Sequence, residues 1–157
     1  MLSTERAYRD ALARFPTGVA LVTRTEDGQG RAMTINSFAS VSLSPRLVLW
    51  SLARDSLRYG AFLAAEHYAI NVLAGDQAGL SAACALDDDM DAAGARWTPG
   101  AHGAPLVEGA IARFECTRVA VHPGGDHMII LGEVTAFDAP RAAPALVFHQ
   151  SGYSQAG

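Results

Sequence analysis

Three stretches of this sequence carry side chains whose types and spacing could do chemistry. Residues 33–42 read MTINSFASVS, in which Thr34, Asn36, Ser37, Ser40 and Ser42 punctuate an otherwise apolar run. Alternating hydroxyls and an amide supply convergent donors and acceptors to a planar heterocycle rich in carbonyl oxygen and ring nitrogen; a strand with one polar face has the same pattern. Residues 51–58, SLARDSLR, read as a strand end running into a helix start with two arginines. Backbone N–H groups, a serine hydroxyl and a guanidinium at a helix N-terminus make an anion site suited to a phosphate, and a capped helix with solvated arginines is the alternative. Residues 124–134, GGDHMIILGEV, set His127 at the mouth of a strand behind a glycine pair.

Other chemistries are excluded by composition. All 12 basic residues are arginine and the chain has no lysine, which removes Schiff-base catalysis, a Ser-Lys dyad and a phosphate-binding P-loop. Twelve basic against 16 acidic residues leave a net charge of −4, and no arginine-rich run offers the clustered positive charge that nucleic acid requires. Gly28-Gln29-Gly30-Arg31-Ala32-Met33 begins like a dinucleotide-binding glycine motif but has Met33 at the third glycine and a strand pattern after it. No GxSxG elbow and no HExxH pair is present. His122, Asp126 and His127 form the one compact metal-capable set, with a spacing unlike common metal sites, so no metal is expected. Asp87, Asp88, Asp89 and Asp91 lack the spacing of a calcium loop and read as a solvated turn.

The elements that must position these residues follow from hydrophobic period and punctuation. Ser3 or Thr4 caps a helix whose apolar positions are Ala7, Tyr8, Ala11, Leu12 and Phe15, stopped by Pro16. Runs at 18–23 and 31–36 flank a Gly-containing loop and read as a hairpin; further strands are expected at 37–43, 47–52, 68–73, 112–121, 128–137 and 145–149. Helices are expected over 56–65, capped at Asp55 or Ser56, and over 76–85, capped at Asp76. The stretch 86–109 reads as irregular loop. About seven strands with a few short helices and no βαβ alternation predict a mostly β, mostly antiparallel barrel. The length and the 50% hydrophobic content are those of one domain over residues 1–157, its core at about 12–153, with no repeat and no linker. Cys84 and Cys116 read as buried reduced thiols, and the absence of a secretory leader or a long apolar run predicts a soluble, cytoplasmic protein with no membrane contact.

Taken in order, the sequence resembles the flavin reductase family, the FMN-binding split-barrel reductases that serve two-component flavin-dependent monooxygenases. The matching residues are Phe15-Pro16-Thr17-Gly18-Val19; Thr34-x-Asn36-Ser37-Phe38-x-Ser40-Val41-Ser42; Ser51-Leu52 through Ser56; Ala69-Ile70-Asn71-Val72-Leu73; and Trp97 through Gly103-x-Pro105-Leu106-Val107-x-Gly109-Ala110. Glu115-Cys116, Gly125-Asp126-His127 to Gly132, and Leu146 through Tyr153 complete the set, which spans about residues 12–153. The chain departs from the family at Ala82-Ala83-Cys84-Ala85, where an aromatic and basic pair is usual.

The resemblance implies a homodimeric split β-barrel that binds FMN or FAD and reduces it with NADH, NADPH being possible, by hydride transfer from nicotinamide C4 to flavin N5. It implies that Thr34, Ile35, Asn36 and Ser37 line the isoalloxazine or ribityl chain, with Ser40 and Val41 nearby. Ser51, Leu52, Ala53 and Ser56, with Arg58, hold the phosphate end. His127 is the implied catalytic residue, facing the nicotinamide, and Phe148, Gly152 and Tyr153 close over it. The partner is then a monooxygenase that receives reduced flavin. A split-barrel enzyme with a fixed flavin and a non-catalytic flavin- or haem-binding module are the alternatives.

Overall fold

The first helix forms where the sequence supplies a cap and a staggered ion pair. In the computed structural model, which describes residues 3–157, α1 (Thr4–Leu12) opens at Ser3, whose hydroxyl accepts from the Arg6 amide at 3.2 Å. Glu5 and Arg9, one turn apart, pair at 2.9 Å. Met1 and Leu2, the first residues of the expected domain, lie outside the described residues. No residue of α1 is buried: its apolar positions Tyr8 and Leu12, like Phe15 beyond it, face outward.

The strands are β1 (Thr17–Gly18), β2 (Ala20–Glu26), β3 (Gln29–Ile35), β4 (Ala39–Leu43), β5 (Arg46–Ala53), β6 (His67–Val72), β7 (Trp97–Pro99), β8 (Pro105–Val107), β9 (Ala112–Gly124), β10 (His127–Asp138), β11 (Ala145–His149) and β12 (Gly152–Ala156). Between them stand α2 (Tyr59–Ala64), a 3₁₀ turn (Gly75–Gln77) and α3 (Ala78–Leu86). Seven strands form one antiparallel sheet in the order β3-β2-β6-β9-β10-β5-β4, and β1-β11-β12 and β7-β8 form two smaller ones. The expected hairpin is present, with Asp27 and Gly28 both at positive φ in its two-residue turn, the conformation that matches strand twist.

Several expectations need correction, among them the helix expected over 76–85 with Asp76 as its cap: a 3₁₀ turn takes Gly75–Gln77, Asp76 within it, and α3 starts at Ala78 with no side-chain cap bond. The 86–109 stretch is not all loop: it carries the β7–β8 hairpin, whose three-residue strands are too short and too proline-rich to show a period. β12 has no apolar alternation and is exposed along its length, and β1 is only two residues long, so neither shows a strand pattern in the sequence. The strand expected from Ser37 starts at Ala39, because residues 36–38 bend away. The helix expected over 56–65 is six residues long, with Arg58 at its cap position and no side-chain cap bond, so the helix-terminus anion site expected at Ser56 is not formed by that helix.

Both faces of β2 are buried. One face sends Ala20 and Val22 into a cluster with Trp50, Phe62, Tyr68 and Ile70; the other sends Leu21, beside Val19, into a cluster with Leu73, Cys84, Val107 and Leu146. The large rings of the first cluster meet edge to face, Trp50 against Phe62 at 6.3 Å and against Tyr68 at 6.1 Å. Polar groups that enter the second layer are satisfied: Asn71 donates to Thr23 Oγ1 at 3.0 Å and accepts from the Val107 amide at 2.8 Å, while Thr23 donates to the Pro105 carbonyl at 2.6 Å. These bonds stitch β8 to β2 and β6.

At the centre of the first cluster the indole N–H of Trp50 and the hydroxyl of Tyr68 are buried without a partner. The Tyr68 oxygen rests against Gly132, at a register shift of β10, where any Cβ would collide with it. Gly132→Ala is therefore expected to lower stability by about 1–3 kcal/mol, and Tyr68→Phe, which removes the unpartnered oxygen, to recover part of that loss in the double variant; urea unfolding of the four proteins checks this. Burial also pushes the Cys84 thiol up to about 11 and the Cys116 thiol up to about 12, from 9.0. Both thiols then stay protonated in the fold at pH values where they ionise in the unfolded chain. Their contribution to stability is complete below the ordinary thiol value and falls as pH rises through it toward the folded values. Denaturant midpoints across the alkaline range should decline accordingly, and thiol reagents should label the chain only after unfolding.

Candidate active site

The end of β5 gathers the three stretches that carry chemistry. Ser37, in the bend before β4, accepts the Ser51 amide N–H at 2.9 Å and donates back to the Ser51 carbonyl at 3.5 Å, so its hydroxyl replaces a missing strand neighbour. Two residues on, Ala53 lies in register with His127 of β10, and the Arg54 amide donates to the Asp126 carbonyl at 2.9 Å. Gly125, at φ 71°, makes the tight return of the β9–β10 hairpin that puts His127 there. His127 is half-buried and its Nδ1 lies 2.7 Å from Asp126 Oδ1. The contact holds the Asp126 carboxyl below its ordinary range, chiefly through that hydrogen bond, and orients the ring so that Nε2 is the nitrogen left for a ligand.

A cleft of about 780 Å³ opens between α1, the β1 segment, residues 36–39 and the turn joining β11 to β12; Ser37 connects it to this junction, whereas Ser51, Leu52, Ala53, Ser56 and His127 do not line it. Its walls carry three phenylalanines, Phe15, Phe38 and Phe148, with the exposed Asn36 amide and Ser37 among them. Phe148 stands opposite Thr17 in the β1–β11 pairing, and the Thr17 hydroxyl is buried with no partner. Flat apolar walls, a few amide and hydroxyl groups and one orphaned hydroxyl fit a planar heterocycle with a polar edge.

The remaining expected positions divide. Thr34 directs its hydroxyl to the Ser81 carbonyl of α3 at 2.7 Å. Ile35 and Leu52 are core side chains, so a ligand could meet only their backbone. Ser40 and Val41 lie on exposed β4, at a bulge between Ser40 and Ser42. The Ser56 hydroxyl accepts the Arg58 amide at 3.1 Å. Gly152 is exposed, and Tyr153 packs edge-on to Phe148 at 5.6 Å with its hydroxyl 2.8 Å from Ser81. Arg58 does not present its fork to solvent as the anion-site reading expects. It donates to the carbonyls of Ala32 at 3.0 Å, Cys84 at 2.7 Å and Ala85 at 2.8 Å, which caps the C-terminal end of α3 and ties it to β3. Phe15, Thr17, Phe38 and Ser81 have no part assigned from the sequence. The first three sit inside the motifs that carry the family resemblance, whereas Ser81, fully buried, has no sequence signal at all.

A family model described as flavin reductase like domain matches residues 12–157. The chain belongs to this family. It is 50% identical over 133 residues to the FMN reductase (NADH) SmoA of Agrobacterium fabrum, covering 82% of this chain and 74% of that protein. It is 33% identical over 151 residues to the flavin-dependent monooxygenase reductase subunit HsaB of Mycobacterium tuberculosis, covering 95% of this chain and 81% of the relative. Among solved structures, the NADH:FAD oxidoreductase SgcE6 of Streptomyces globisporus, in complex with NAD and FAD fragments, superposes with a TM-score of 0.90 at 35% identity, over 98% of this chain and 93% of that one.

Arg58 makes a testable division between holding the fold and holding a ligand. Arg58→Ala should cost about 1–3 kcal/mol in urea unfolding, because three carbonyls lose a charged donor. Arg58→Lys should recover less than half, since an ammonium cannot reproduce the planar fork.

Proposed function

We infer that this chain is an NAD(P)H:flavin oxidoreductase that reduces FMN or FAD and passes the reduced flavin to a flavin-dependent monooxygenase. The carrying observation is the cleft lined by aromatic rings, the Asn36 amide and Ser37, the last bonded to the end of β5, in a chain half identical to an NADH-dependent FMN reductase. Bound flavin supplies the hydride acceptor at N5 and the nicotinamide nucleotide the donor at C4. The chain's own work is to stack and orient. Asn36 and Ser37 present the flavin-side polar groups, with the backbone at Ile35 and the Thr34 position behind them and Ser40 and Val41 at the margin. The end of β5 at Ser51, Leu52 and Ala53, with Ser56 in the turn beyond it, carries the phosphate end, and Arg58 braces that turn against α3. Phe148, Gly152 and Tyr153 build the opposing wall, and His127, set in its tautomer by Asp126, donates to or accepts from the nicotinamide carboxamide. NADH is favoured as reductant, in line with the activities for which SmoA and SgcE6 are named.

Residues 1–157 act as one flavin-reductase domain in this reading, a split β-barrel whose main sheet has β3 and β4 as its outermost strands, and two copies associate. Exposed apolar side chains support the association: Phe15 is 75% exposed, Leu12 56% and Leu43 91%. No helix among the described residues is long and apolar enough to cross a membrane, and both cysteines are free thiols. The cytoplasm is the compartment this reading takes, with no nucleic acid or metal as partner.

The test is oxidation of NADH and NADPH followed by absorbance with catalytic protein and excess FMN, FAD or riboflavin. Turnover dependent on added flavin and well above the protein-free rate is expected; flavin binding without turnover would leave only a binding module. His127→Ala should raise the Michaelis constant for the nicotinamide nucleotide or slow hydride transfer by roughly 10-fold, the factor of one or two lost hydrogen bonds. Unchanged kinetics in that variant would remove His127 from the nicotinamide side.

A further inference from the structure

Ser81 sits on α3, fully buried, and bonds in two directions at once. Its carbonyl accepts the Thr34 hydroxyl at 2.7 Å, and its own hydroxyl lies 2.8 Å from the Tyr153 hydroxyl. Thr34 belongs to β3, two residues before Asn36 on the flavin-side wall; Tyr153 belongs to the β11–β12 hairpin, whose turn and Phe148 make the opposite wall of the cleft. All five residues of β12 are exposed; beyond its ladder with β11, the strand is held by the Tyr153–Ser81 bond and by the Gln155 side chain seated on Gly75. The turn itself is under backbone strain, since Gln150 and Ser151, neither of them glycine, both take positive φ at 50° and 61°. It is held there by the Gln150 amide, which donates to the Ala13 carbonyl at 3.0 Å. β11 is fixed by its pairing with β1, by the Leu146 amide on the Leu73 carbonyl and by burial of Leu146, so within the hairpin it is the outer strand β12, carrying Tyr153, whose position depends on the tie to Ser81.

We propose that Ser81 is a positioning residue for the reductase reaction: through Tyr153 and Thr34 it sets the spacing between the wall that receives the flavin and the wall that receives the nicotinamide. The inference rests on the flavin-reductase reading above. Hydride transfer demands ring stacking within a few tenths of an ångström, so a hairpin released from α3 weakens productive nucleotide binding more than flavin binding. The Ser81 hydroxyl does this without touching either ligand.

Ser81→Ala, Tyr153→Phe and the double variant test it, each assayed for NADH Michaelis constant, turnover number and flavin dissociation constant by fluorescence quenching. Each single change should raise the NADH constant about fivefold, the effect of one neutral hydrogen bond, with the flavin dissociation constant within about twofold of the parent. The double variant should be no worse than either single one, because both remove the same bond. Limited proteolysis of the folded protein should cut faster within 145–156 in all three. Unchanged NADH constants, or effects that add in the double variant as they would if Tyr153 touched the nucleotide directly, overturn the role of Ser81. A parent protein with no flavin-dependent NADH oxidation overturns the reductase reading instead, and the proteolysis rates then decide separately whether Ser81 ties the hairpin.

Discussion

The burial of β2 on both faces is the constraint on which the rest of this structure depends. A strand that faces water on one side alternates apolar and polar residues, but residues 20–24 are buried in succession, so apolar layers must cover both sides. The inner layer closes around Trp50 and Tyr68. The outer layer is built from elements C-terminal to β6, namely α3, the β7–β8 hairpin and β11. That second layer is what brings α3, with Ser81 and the carbonyls held by Arg58, up to the back of β3. The candidate site is thus assembled at the margin of two cores rather than in either one.

At that margin hydrogen bonds replace packing as the source of order. The bend at 36–38 ends the β4–β5 ladder at Ala39, and Ser37 extends it by one pair by turning its side chain into a strand partner for Ser51. The β9–β10 turn adds the Arg54 to Asp126 bond on the other side of the same strand end. Each bond is worth only about 1 kcal/mol net, yet each is directional, and direction is what a stacked-ring site needs.

Residues whose function is written in a local pattern were legible in the sequence; those that act through long-range contact were not. The hydroxyl-rich stretch, the Asp27-Gly28 turn, the α1 cap and most sheet strands follow from period and turn chemistry. The phosphate reading of Arg58 failed in its means, because a guanidinium beside a helix start looks identical in sequence whether it meets an anion or, as here, the carbonyl end of a helix 26 residues away. The β7–β8 hairpin is stabilised by partners distant in the chain, through the bonds of Asn71 and Thr23 to β8, and neither its residues nor those of β12 carry an apolar period. Ser81 is one small residue in an alanine-rich helix, and only the register of three elements gives it significance.

The charge map agrees with chemistry that moves a hydride rather than a proton. The groups whose ionisation is displaced, Tyr68, Cys84 and Cys116 by burial and Asp76, Asp126, Asp138, Arg113 and Arg141 by pairing, all lie off the lining of the cleft. A site built for general acid–base catalysis concentrates displaced groups at its centre, because the reaction must be matched to a proton affinity. Here the cleft centre holds phenyl rings, an amide and hydroxyls, with Asp126 and His127 on the adjoining strand end. Such groups bind and orient without exchanging protons, so the rate is set by how closely two walls hold two rings. Those walls come from the bend between β3 and β4 on one side and from β11 and its turn into β12 on the other, and α3 is bonded to β3 through Thr34 and to β12 through Tyr153. In the positioning role proposed for Ser81, a helix remote from any reacting atom is part of the site through the spacing it imposes on two bonded strands.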